Sequence, residues 1–144
     1  MSIGYACLTL GVLNTNLKSC TAKNVTEENL LDIISHNLKS LENIINYNIK
    51  NNIKLFRISS DLIPFGSSDL NTLSWQEIFS QEFSRIGRKI KENDIRVSMH
   101  PGQYTVLNSP SSDVVKRSID DLKYNAKLLH CLDVSEHHNI ILHI

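Results

Sequence analysis

Short apolar runs alternate with long helical stripes along this chain. Ser2–Leu8 reads as a brief apolar strand in which Gly4 allows close backbone approach. Leu10–Val25 is a polar loop with Gly11, Asn14 and Asn16. Thr26 has the character of a helix N-cap, with Glu27 and Glu28 in the first turn where the helix dipole favours acids. Leu30, Ile34, Leu38, Leu41 and Ile45 share one face, which predicts a long amphipathic helix to about Lys50, ended by Asn51-Asn52. His36 and the helix's asparagines fall off that stripe, so solvated surface is expected for them.

Ile53–Ser59 is a second strand, and the turn-rich loop Ser60–Ser68 follows it. Trp75, Phe79, Phe83, Ile86 and Ile90 mark a second helix ending near Asn93. Ile95–Met99 is a third strand, broken at Pro101-Gly102, where proline removes a ladder donor and glycine permits positive φ. Ser111 or Ser112 can cap a third helix whose expected buried face is Val115, Ile119, Leu122, Ala126 and Leu129. His130, His137 and His138 are expected at the surface, and Ile140–Ile144 is a fourth strand.

The order is β-α-β-α-β-α-β, with strands starting near residues 3, 53, 95 and 139. Such alternation predicts an α/β fold with parallel strands joined by right-handed crossovers. Units of this length make up the amino-terminal half of a TIM (β/α)8 barrel, whose full size is about 250 residues. Residues 1–144 are therefore expected to form an incomplete barrel domain of about the first four strands, with the remainder absent. Arg57 interrupts an apolar strand, and its guanidinium is expected either to pair with an acid inside the barrel or to face an anion.

Composition narrows the function. The formal net charge is +0, which lacks the basic balance of many nucleic-acid binders yet leaves room for a local basic groove. Cys7, Cys20 and Cys131 form no C-x-x-C pair, so neither a zinc ribbon nor a disulfide framework is indicated and reduced thiols are expected. Neither a leader nor an apolar run of membrane-spanning length is evident, and a cytoplasmic protein without a membrane partner is expected.

Candidate chemistry gathers at Arg96-Val-Ser-Met-His-Pro-Gly-Gln-Tyr104. His100 closes a strand, where barrels place ligands and catalytic groups, and Gln103 and Tyr104 are displayed beyond it. A lone histidine there more often just closes the strand with a hydrogen bond. A second strand ending in histidine, Ile140-Ile-Leu-His143, raises the case for chemistry.

These residues carry a resemblance. Gly4-Tyr-Ala-Cys7, Phe56-Arg-Ile-Ser-Ser-Asp-Leu-Ile-Pro-Phe65, Ser98-Met-His-Pro-Gly-Gln-Tyr104, Ser118-Ile-Asp-Asp-Leu-Lys-Tyr124 and Ile141-Leu-His-Ile144 resemble the UV damage endonuclease family, in the same order. The resemblance implies a TIM barrel holding divalent metals, manganese being the usual assignment, that cuts damaged double-stranded DNA 5′ to ultraviolet photoproducts. It implies His100 and His143 as metal ligands, Gln103 and Tyr104 as the pair that reads the lesion, and Tyr5 as an aromatic near the DNA. It implies no protein partner, and it assigns no catalytic residue beyond the metal ligands.

Two departures stand out. Ser68 occupies a position that is often a histidine ligand in that family, and the short first loop leaves only Asn14 as a counterpart to a DNA-facing asparagine. Two further readings follow from the same residues: a related metal-dependent barrel such as an apurinic endonuclease or sugar isomerase, and a non-catalytic half-barrel that binds DNA. The Gln103-Tyr104 pair separates the first of these, because a small sugar requires no stacking residue at the barrel mouth.

Overall fold

Three helices of this chain end in the same way, and that shared ending spaces the strands. Asn52, Asp94 and Asp133 each adopt positive φ, where a short polar side chain is tolerated. The next residue then bonds back into the helix: Ile53 N–H to the Asn48 carbonyl, Ile95 N–H to Ile90, and Val134 N–H to Leu129. Each is a Schellman ending with an apolar residue just beyond it.

The structure is a computed structural model that describes residues 2–134 and 138–142. Its elements are β1 (Gly4–Ala6), α1 (Glu27–Lys50), β2 (Leu55–Ile58), α2 (Trp75–Ile78), α3 (Ser80–Glu92), β3 (Arg96–Met99), α4 (Ser112–Cys131) and β4 (Asn139–Ile140). All strand pairs are parallel, in the order β1-β2-β3-β4. This is the architecture of half a TIM barrel, as expected.

The strands are shorter than the apolar runs. Ile53 and Ile95 commit their N–H groups to helix endings, so β2 and β3 start only after them. β1 stops at Ala6 because Cys7 has φ 62 and Leu8 N–H bonds to the Ala6 carbonyl at 2.7 Å, a three-residue turn.

One face of the sheet builds the core. Phe56, Ile58, Val97 and Met99 pack against Ile34, Leu38, Leu41 and Ile45 of α1, Phe83, Ile86 and Ile90 of α3, and Leu128 of α4. Trp75 fills the corner near α4, edge-on to Tyr124 at 6.0 Å and beneath Lys127 Nζ at 5.1 Å. Strand alternation gives the opposite face Leu55, Arg57, Arg96 and Ser98.

Three expectations change. The second helix is two pieces, α2 and α3, broken at Phe79, although Trp75 and Phe79 both stay buried. The α1 polar residues are not all solvated: Asn37 and Asn48 are 0% exposed. Asn37 accepts from Lys18 N–H and donates to the Lys18 and Leu62 carbonyls, Ser40 donates to Asn16 O, and Asn43 donates to Asn14 O. His36 Nε2 lies 3.0 Å from the same Asn16 carbonyl. Together they pin the loop after β1.

Helix α4 is rotated from the expected face. Ser118, Tyr124, Asn125, Leu128 and Leu129 are buried, whereas Ile119 and Ala126 are exposed. Ser118 Oγ accepts from Val106 N–H, and Tyr124 OH accepts from Ile63 N–H and donates to the Ser60 carbonyl; these bonds to neighbouring loops set that rotation. Ser111 occupies the N-cap position, but its side chain makes no cap bond.

Candidate nucleic-acid interface

The carboxyl ends of the strands form one rim, and His100 lies on it directly after β3. Ile141 N–H bonds to the Met99 carbonyl at 2.9 Å, so the ladder with the last strand runs up to the edge of His100. The imidazole is half-buried. Pro101 is buried and ends the strand, but Gly102 does not use glycine's conformational freedom. Gly11 is the only described glycine with positive φ, and a Cβ on Gly102 would meet no atom within 4 Å.

Gly102 to Thr105 is a β-turn closed by Thr105 N–H to the Gly102 carbonyl at 2.9 Å, with Gln103 and Tyr104 at its centre. Both project into solvent, and Tyr104 is 82% exposed. Beyond the tip the chain is fastened to α4. Thr105 Oγ1 donates to Asp121 Oδ2 at 2.5 Å, and Val106 N–H donates to Ser118 Oγ at 3.0 Å. A groove of about 640 Å³ lies between the turn and α4, with Arg117 on its wall. Arg117 also lines the neighbouring groove beside Ser67–Leu70.

Tyr5 points to the helix side of the sheet. Its ring meets Phe56 at 5.1 Å, and its hydroxyl donates to Asn48 Oδ1 at 2.7 Å. Burial raises its pKa most, against lowering by the hydrogen bonds to Thr9 and Asn48. Arg57 is half-buried on the inner face, and among the described residues no carboxylate forms a salt bridge with it. It is close enough to Cys7 to act on the thiol, whose pKa burial raises and Arg57 partly offsets. Ser68 Oγ accepts from Leu70 N–H at 3.2 Å, an ordinary turn bond.

His138 is half-buried rather than a surface residue, because its Nδ1 accepts from Val97 N–H at 3.0 Å. His143, the second expected metal ligand, lies outside the described residues, as does His137. The sequence pattern gave no role to Thr105, nor to Ser118 and Asp121 within the Ser118–Tyr124 motif, and these three anchor the turn. The signal available was polar residues at Ser118 and Asp121 in the middle of a helix, three positions apart and so on one face.

The family model described as UV-endonuclease UvdE matches residues 1–144. The chain belongs to this family. A UV DNA damage endonuclease of Clostridium perfringens (strain 13 / Type A) is 46% identical over 100% of this chain and 35% of the relative. One of Bacillus cereus (strain ATCC 10987 / NRS 248) is 30% identical over 85% of this chain and 39% of the relative. The crystal structure of SacUVDE superposes with a TM-score of 0.94 at 40% identity, covering 99% of this chain and 49% of that one. The chain thus spans well under half the length of these two curated relatives and about half of the solved chain.

Among the described residues no three His, Cys, Asp or Glu side chains converge as a metal site. His100, an imidazole at the strand-end rim, fits as one donor to a divalent ion, and the described residues do not complete a set. Cys7, Cys20 and Cys131 are free thiols. No helix among the described residues is long and apolar enough to cross a membrane.

Proposed function

We propose that this chain is the amino-terminal, lesion-reading part of a longer barrel that repairs DNA by cutting the backbone 5′ to ultraviolet photoproducts. The reaction depends on divalent metal, manganese in the favoured assignment, and takes place on damaged double-stranded DNA in the cytoplasm. The observation that carries this reading is an exposed Gln103-Tyr104 turn on the same rim as His100, in a chain of the UvdE family.

His100 and His143 are the proposed ligands of the metal from this chain. Bound there, a divalent ion would supply Lewis-acid polarisation of the phosphate and an activated water. Tyr104 offers a ring face to a gap in the base stack, and Gln103 offers an amide to base edges. Gly102 supports close approach by a large partner: the fold itself makes no steric demand for glycine there. Arg57 and Arg117 are cations available to backbone phosphates. Tyr5 supports the rim from behind, through Asn48 and Phe56, and in this reading acts near DNA by holding β1 in place.

The test separates chemistry from recognition in the full-length protein. His100→Ala abolishes incision while damaged DNA is still bound. Gln103→Ala with Tyr104→Ala keeps the metal but loses lesion preference by about ten- to hundredfold, since stacking on one aromatic is worth roughly 1–3 kcal/mol per base. Binding measured with calcium in place of manganese isolates recognition. Full lesion preference in the double variant would remove the main support for this function.

A further inference from the structure

The lesion-reading turn is held unevenly. Its tip is bare, with Tyr104 82% exposed and open space around Gly102. Its far side is bolted to α4 by buried polar groups. Thr105 is 6% exposed and Ser118 is 3% exposed, so neither hydroxyl is replaced by water at little cost.

Both hydroxyl protons are committed. Ser118 Oγ donates to the Val114 carbonyl at 2.8 Å while accepting from Val106 N–H. Thr105 Oγ1 gives its proton to the Asp121 carboxylate, a charge-assisted bond of the stronger class. These contacts sit one and two residues from Tyr104, too close in sequence for the tip to move without straining them.

The same helix also fixes the loop after β2. Tyr124 OH donates to the Ser60 carbonyl at 2.7 Å and accepts from Ile63 N–H at 3.2 Å. Helix α4 is therefore the common support for two loops on the rim.

We propose that Thr105, Ser118 and Asp121 are positioning residues for lesion recognition, acting through the Gln103-Tyr104 turn that they hold against α4. The inference rests on the lesion-reading role proposed above. A turn ordered before binding has less freedom to lose when it enters the base stack, and that gain is specific to the lesion complex. Phosphate contacts by Arg57 of β2 and Arg117 of α4 would come from elements that keep their place when the turn loosens. The anchors thus govern discrimination rather than general DNA affinity.

The experiment compares Thr105→Val, Thr105→Ser and Asp121→Asn with the Gln103-Tyr104 double variant in the full-length protein. Dissociation constants for irradiated and intact duplex are measured with calcium in place of manganese, beside melting temperatures. Thr105→Val, which keeps volume and removes the hydroxyl, is expected to lower lesion preference roughly tenfold with affinity for intact duplex unchanged, because small misplacements of a positioned group are costly. Thr105→Ser restores the preference, and Asp121→Asn lowers it by an intermediate factor.

A valine variant that keeps its preference while the double variant loses it would overturn the inference. So would a serine variant that loses as much as valine. Should Thr105→Val fold poorly, serine rescue and Asp121→Asn decide the matter by the same ratio. If the double variant itself keeps full preference, the underlying reading fails and this inference falls with it.

Discussion

Glu42 ties two helices together through a single carboxylate. Arg85 Nε and Nη2 donate to its two oxygens at 2.9 and 3.0 Å, and Lys89 Nζ lies 2.9 Å from one of them. The Arg85 hydrogen bond is the chief reason that its pKa falls from 4.5 to about 2, with Lys89 adding to it against the cost of burial. A carboxylate depressed in the folded state stabilises above its unfolded pKa and loses that contribution as pH falls through the folded one. The bridge therefore contributes fully above about pH 5 and fades between about pH 4.5 and 2. Arg85 is half-exposed, so screening holds the contribution to about 1 kcal/mol. Melting temperatures of the parent and Glu42→Gln should differ at pH 7 and draw together as the pH falls to about 2; a gap independent of pH would assign the effect to packing.

Residue by residue, legibility depended on how local the cause was. Thr26 was readable as a cap, and its Oγ accepts from Asn29 N–H as the local pattern requires. Asn37, by contrast, is buried by partners 19 and 25 positions away, and off an apolar stripe an asparagine looks solvated. Ser118 was hidden for the same reason: its loop partner is 12 positions earlier.

Among the elements, the helix endings were half legible. Asn51-Asn52 and Asn93 marked the stops, but the left-handed residue and the back-bonded isoleucine after it shortened the strands. The rotation of α4 could not be read from its apolar stripe, because polar tethers at Ser118 and Tyr124 chose which side faces inward. The approach of α3 to α4 yields a sharp prediction. A Cβ on Gly87 would stand 2.0 Å from the Leu132 carbonyl oxygen, which belongs to backbone at the end of α4 and cannot rotate away. Gly87→Ala gains helix propensity of about 1 kcal/mol but forces the helices apart, and overpacking of this kind costs about 1–3 kcal/mol or more. Net destabilisation is expected in a denaturant titration, and an alanine variant at least as stable as the parent would show that the two helices are not in such close contact.

At the scale of the whole molecule, the alternation of strands and helices announced the half-barrel, because periodicity and crossover handedness are properties of the chain itself. The candidate site was less legible, because the turn beyond His100 is held by side chains of α4 that lie 12 and 16 positions further along the chain. In the sheet order β1-β2-β3-β4, β1 and β4 each have one strand partner among the described residues, and both outer edges are templates for further pairing. His100 is a donor that the described residues bring to the rim and His143 is the second proposed ligand from this chain, and two imidazoles fall short of the three protein donors that hold a catalytic ion. Residues 1–144 expressed alone should therefore leave irradiated plasmid uncut with manganese, while the full-length protein nicks it and chelator stops it. The exposed edges add a second expectation for the short form, self-association that grows with concentration and is read by light scattering. Manganese-dependent nicking by the short form, lost in His100→Ala, would contradict the first expectation. It would mean that two half-barrels pair through those edges and complete the site between them.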